Sequence, residues 1–284
     1  MSYIPHTDTE RQQMLAAIGV TTIEDLFEAV PATHRFPKLD LPEALSEMEV
    51  MAELQALAEA NEHAGDFSIF RGAGAYYHFI PSAVNHMLLR GEFYTAYTPY
   101  QPEMSQGTLQ AIFEYQSMMA LLTGMDAANA SHYDGATSLA EAVTVALEVG
   151  RRKRNKVILS PNINPQYRAV VRTYHQGNGV EFVGDEPETT LDQLLGMLDD
   201  QTAMLAVQYP NFFGQIEDIA TLAEKVHQAG ALLVFVANPM ALVLYKTPGE
   251  LGADIVVGEG QPLGIPLSFG GPYLGYFAVR NEYV

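Results

Sequence analysis

Short apolar runs alternate with amphipathic stretches over the second half of the chain. The runs at 127–130, 156–160, 180–183, 203–208, 231–237, 254–257 and 275–279 have the length of strands. Between them, 137–149, 165–177, 190–198 and 216–229 carry apolar residues at helical spacing. The alternation predicts crossover units and a mostly parallel sheet, an α/β fold. In such sheets ligands lie beyond the carboxyl ends of the strands.

The first part of the chain has a different texture. Residues 1–65 read as helical: Thr22 can cap a short helix through Asp25, and 42–61 places Leu45, Met48, Met51, Ala52 and Leu54 at helical spacing. Glu43, Glu47, Glu49, Glu53, Glu59 and Glu62 read as the solvated face of that stretch. From Phe67 to Gln106 the chain is rich in Gly, Pro and Tyr, which disfavours regular helix or buried strand. A short helix over 81–90 interrupts it. A long helix follows, with Ser105 or Thr108 at its start, Leu109, Ile112, Phe113, Gln116, Met119 and Ala120 on one face, and Gly124 as its stop. The predicted organisation is a helical segment over 1–65 and one α/β domain over 66–284.

Composition narrows the function classes. Of 284 residues, 34 are acidic and 15 basic, a formal balance of −19. That sign excludes nucleic acid and an anionic membrane surface as expected partners. With no cysteine, disulfides, thiolate metal sites and a Cys nucleophile are excluded. No basic and apolar leader opens the sequence, and the longest apolar run, 229–237, is too short to span a bilayer. A cytoplasmic location is expected. Five of the basic residues fall in 151–156, which reads as a solvated cluster at a helix C-terminus.

Three places could carry chemistry. Ser131-His-Tyr-Asp-Gly-Ala-Thr-Ser138 lies between a strand and a helix. It either caps that helix, with Ser138 and Glu141 as a capping box, or offers the N-terminal amides to a phosphate. None of the eight histidines has metal-ligand spacing; His132, which opens that turn, is a structural or a functional candidate. Tyr94, Tyr97 and Tyr100, broken by Pro99 and Pro102, cannot form a helical stripe. They either pack as a loop or present rings and hydroxyls to a ligand or partner. No GxGxxG, GxxxxGK[ST] or GxSxG motif is present.

At these residues the chain resembles a known family. Tyr94-Thr-Ala-Tyr-Thr-Pro-Tyr-Gln-Pro-Glu-Met-Ser-Gln-Gly107 is similar to a signature of the glycine cleavage system P-protein, glycine dehydrogenase (decarboxylating). Ala128-Asn-Ala-Ser131 resembles its following strand, and the stretch from Asp254 through Gly258-Glu-Gly-Gln-Pro262 to Pro272 resembles a late segment of its N-terminal half. The resemblance runs from about residue 5 to the end. In many bacteria the enzyme is split into two chains, and this one resembles subunit 1.

The resemblance implies fold type I of the pyridoxal-phosphate (PLP) enzymes, a PLP-dependent transferase-like large domain with a mostly parallel seven-stranded sheet. Chains of the family continue into a smaller C-terminal domain that this sequence lacks. The implied reaction is decarboxylation of glycine, with transfer of aminomethyl to the lipoyl group of a carrier, the H-protein. The redox-active sulfur then belongs to the lipoyl arm. The implied assembly is α2β2.

Fold type I chemistry asks for an Asp at the pyridinium nitrogen and a Lys for the Schiff base. By that pattern Asn238 stands where the Asp is wanted, and Pro262 falls near the lysine position. His132 marks the third degenerate PLP position. The five lysines are Lys38, Lys153, Lys156, Lys225 and Lys246, so none follows the strand at 254–257. The resemblance therefore implies a chain that does not hold PLP and needs a PLP-bearing subunit 2. Across the interface, Tyr97, Tyr100 and Arg71 are the expected catalytic contributions, with Gly74, Tyr94, Thr98 and Gln101 beside the partner's cofactor and substrate. Arg71 could bind a carboxylate bidentately. The alternative is a catalytically silent scaffold or regulatory homologue, against which the retained tyrosine loop argues; a self-sufficient PLP decarboxylase is disfavoured by the missing Lys.

Overall fold

A computed structural model describes residues 5–94, 98–219, 221–271 and 273–284. The chain forms two compact units, Met1–Glu62 and His63–Val284.

In the first unit, helix α1 spans Asp8–Ile18 and α2 spans Glu47–Glu59. Both start at reciprocal capping boxes, Thr7 with Glu10 and Ser46 with Glu49. The Ser46 cap places the start of α2 at 47, where the apolar spacing alone put it at 42. Thr22 and Asp25 exchange hydrogen bonds as expected, ahead of a 3₁₀ turn at Glu24–Phe27.

The second unit opens with short helices α3, Ser82–Leu88, and α4, Gly91–Tyr94. Then come α5 (Gln106–Thr123), β1 (Ala127–Ala128) and α6 (Gly135–Val149). They are followed by β2 (Lys156–Leu159), α7 (Pro165–Tyr174), β3 (Glu181–Val183), α8 (Leu191–Gly196) and β4 (Thr202–Tyr209). The series ends with α9 (Leu222–Gln228), β5 (Leu232–Ala237), β6 (Ile255–Glu259) and β7 (Gly275–Val279). The seven strands form one sheet in the order β1-β7-β6-β5-β4-β2-β3. The run from β6 to β3 is parallel, and β7 is antiparallel to both β6 and β1.

Both faces of the sheet are covered, so its central strands are near-continuous apolar runs, with polar residues only near their ends. Side chains still alternate between faces. Ile158, Leu205, Leu233, Phe235 and Val256 pack with Met119 of α5, Leu194 of α8 and Leu222 of α9. Val157, Met204, Val234, Val236, Ile255 and Val257 pack with Leu139 and Val143 of α6 and Val171 of α7.

Two expectations need correction. The helix placed at 216–229 begins only at Leu222. Ahead of it, Glu217 accepts a hydrogen bond from Asn162 Nδ2 at 2.8 Å, which ties that stretch to the β2–α7 loop. The basic cluster is not all solvated. Arg154 donates to the carbonyls of Thr202 and Ala229, each at 2.9 Å. Lys156 is buried at the start of β2, where it donates to Met197 O at 2.7 Å and pairs with Asp199. These two cations supply donors to carbonyls at strand and helix ends.

Candidate functional site

The site is built where β5 and β6 end, opposite the N-terminus of α6. Asp134 caps α6: its carboxylate accepts from Thr137 N at 2.7 Å, and Thr137 Oγ1 accepts from Asp134 N at 3.1 Å. This corrects the expected Ser138–Glu141 box. Ser138 sits one turn inside the helix, where its hydroxyl donates to Asp134 O at 3.0 Å. His132 Nδ1 lies 3.1 Å from that hydroxyl, and its ring packs edge-on against Phe277 at 5.6 Å. Burial holds the imidazole below its ordinary pKa, with Glu141 acting in the opposite sense.

Glu259, the last residue of β6, is only 7% exposed. Its Oε2 accepts from Gly135 N at 3.1 Å, and its Oε1 accepts from Gln261 N at 2.8 Å and Leu274 N at 3.0 Å. Burial raises its pKa above the ordinary carboxylate value, and these three amides offset only part of that rise. Hydrogen bonds from three N–H donors favour the ionised carboxylate. Gln261 is 1% exposed. Its Oε1 accepts from Tyr76 N at 2.8 Å, while its Nε2 donates to Tyr76 O at 2.9 Å and Ile265 O at 2.7 Å. Pro262 is buried beside it in the 3₁₀ turn Gln261–Leu263.

A second tether holds the 73–76 segment. Asn164 Nδ2 donates to Ala73 O at 3.3 Å, and Gln208 Oε1 accepts from Asn164 N at 2.8 Å. Gly74 has φ +103°, which side-chain-bearing residues rarely adopt, and a Cβ there would come 3.1 Å from Asn164 Nδ2. Tyr167 fills the centre. Burial and the neighbouring Glu259 carboxylate push its phenol well above the usual range.

The cavity left between Gly74, Tyr76, Tyr167, Gln208, Asn238 and Glu259 has a free volume of about 30 Å³. That is room for a water or two. Asn238 lines it from the end of β5, with its Oδ1 accepting from Met240 N at 2.9 Å. These residues do not fit pyridoxal phosphate. No lysine lines this cavity or the larger cleft of about 320 Å³ that adjoins it at Gly74, Tyr167 and Glu259, and a phosphate placed there would meet the Asp134 and Glu259 carboxylates.

The structure thus gathers Gly74 and Asn238 at one cavity, with Pro262 in the buried turn that follows β6. His132 lines a separate cleft with Tyr133, Glu141, Tyr174 and Tyr273. Arg71, Tyr94, Thr98, Tyr100 and Gln101 are exposed, Tyr94 by 72% and Tyr100 by 79%. Among the described residues Arg71 has no ion-pair partner. Tyr100 N donates to Thr98 O at 2.8 Å, and Gln101 O accepts from Met104 N and Ser105 N, which fixes the turn into α5. Tyr97 lies outside the described residues. Sequence reasoning missed Glu259, Gln261, Asn164 and Tyr167. The available signal was a glutamate closing an otherwise apolar strand, a position that demands a partner.

A sequence profile of the glycine cleavage system P-protein matches residues 1–284. The chain belongs to this P-protein family. Relatives within it are named probable glycine dehydrogenase (decarboxylating) subunit 1. The one from Desulforamulus reducens is 54% identical, and the one from Thermomicrobium roseum 52%. Each alignment covers all of this chain and 64% of the relative, so the chain spans just under two-thirds of their length. A crystal structure of glycine decarboxylase (P-protein) of the glycine cleavage system, in inhibitor-bound form, matches with a TM-score of 0.88 at 45% identity, over 100% of this chain and 64% of that one. The seven-stranded sheet of this P-protein-family chain is that of a fold type I large domain. Among the described residues no helix is long and apolar enough to cross a membrane.

Proposed function

We propose that this chain is the subunit of a two-chain glycine decarboxylase that does not anchor pyridoxal phosphate, and that it completes the active site of a lysine-bearing partner subunit. The observation that carries the reading is the cleft at the ends of β5 and β6, which Glu259 and Tyr167 line and where no lysine is present. The relatives' name, subunit 1 of glycine dehydrogenase (decarboxylating), supports a partner. The reaction is loss of CO₂ from glycine and transfer of aminomethyl to the lipoyl group of an H-protein, whose disulfide is reduced as the aminomethyl carbon is oxidised. The partner's cofactor supplies the electron sink.

This chain's share is positional. The segment carrying Arg71 and Gly74 is held by Gln261 and Asn164, while the loop around Tyr94, Tyr97, Thr98, Tyr100 and Gln101 presents rings and hydroxyls to the partner's substrate. Exposed aromatics on a Pro-braced loop suit a surface buried only on assembly. Arg71 is suited to a carboxylate. A cytoplasmic location fits this role.

The test is borohydride reduction of each purified subunit, and of their mixture, with PLP present. Mass spectrometry should find a stoichiometric adduct on the partner alone. A stoichiometric adduct on this chain would overturn the reading.

A further inference from the structure

Three amides from three separate elements converge on one buried carboxylate. Gly135 N opens α6, Gln261 N belongs to the turn after β6, and Leu274 N precedes β7. Converging backbone N–H groups at a helix N-terminus form an anion nest, and the helix dipole adds to it. The turn is the one whose residues, read in sequence, could receive a phosphate. Here the anion is the chain's own.

We propose that Glu259 is a positioning residue: it is the built-in anion of this nest, standing in for an external phosphate and locking the 73–76 segment to the end of β6. The lock reaches the surface segment through Gln261. The amide of Gln261 is held by Glu259, and its side chain holds both the N–H and the C=O of Tyr76. Without the carboxylate, three amides lose their acceptor, and the 73–76 segment loses the anchor of its main tether. The inference concerns this chain alone, so it stands or falls independently of any role at a partner's site.

A missing carboxylate leaves a hole of formate size, and formate is the probe. The thermal midpoint of Glu259→Ala is followed against sodium formate, with sodium chloride at matched ionic strength. The variant should melt below the native chain. Formate, and not chloride, should raise its midpoint saturably, by about 3 °C at ten times the dissociation constant. Formate should also slow amide exchange at Tyr76. The native chain and Glu259→Gln, whose side chain still fills the nest, should not respond. If Glu259→Ala is recovered unfolded, refolding yield is titrated with the same two salts, and formate-specific recovery is expected. No formate-specific effect on midpoint or refolding, or an equal effect on the native chain, would overturn the proposal.

Discussion

Glu259 Oε2 accepts a hydrogen bond from Gly135 N at 3.1 Å, across 124 residues of sequence. The bond joins the end of β6 to the start of α6. It requires that helix and strand approach so closely that only a hydrogen fits at residue 135. A methyl group there would come within 2.5 Å of Tyr167 Oη and 2.9 Å of Glu259 N. Gly135→Ala gains helix propensity, yet overpacking against backbone wins. The variant should lose about 1–3 kcal/mol in urea unfolding; unchanged stability would show that the approach is looser than described.

Gln261 is the second half of that connection. Replacing it with Leu keeps the volume and removes three hydrogen bonds to Tyr76 and Ile265. The freed groups of Tyr76 would then need water, so the variant should lose about 1–3 kcal/mol. Exchange of the Tyr76 amide should quicken by at least about tenfold, since each 1.4 kcal/mol of local opening energy is a factor of ten. Hydrogen exchange resolved at Tyr76 checks this.

His132 gives a pH signature. Its imidazole is held below the ordinary value by burial. The unfolded chain therefore binds this proton at higher pH than the folded chain does. Below about pH 6.5 the unfolded state holds more protons, and stability falls as pH drops through the window. His132→Gln removes that term. Urea midpoints at about pH 7.5 and about pH 5.5 should fall further for the native chain than for the variant; equal losses would refute the assignment.

Tyr100 and Arg71 test the proposed reach across the interface. Both are exposed on this chain, so Tyr100→Phe and Arg71→Gln should leave its own stability within about 0.5 kcal/mol. In the two-subunit mixture each should lower glycine–bicarbonate exchange by at least about tenfold, which corresponds to one lost hydrogen bond to a charged group. Exchange rates beside thermal midpoints separate the two effects.

The sheet was legible because β4, β5 and β6 are short, apolar and bounded by helical spacing, and burial on both faces leaves such runs unbroken. The capping of α6 was misread because Ser138-Leu-Ala-Glu141 matches a capping pattern one turn too late. What decides the true start is Asp134 together with the long-range Glu259 bond, which no local window contains. The same reason hid Gln261 and Asn164, whose partners lie 185 and 91 residues away. The place of Asn238 just past β5 was legible, since it rests on residue identity at a strand end.

The central claim is that this chain works only as part of a pair. Its most direct test is glycine–bicarbonate exchange with H-protein and PLP, measured for this chain, for the lysine-bearing subunit and for their mixture. The account predicts no exchange by this chain alone and exchange by the mixture well above that of the partner alone. Exchange by this chain alone, or a mixture no faster than the partner, would contradict it.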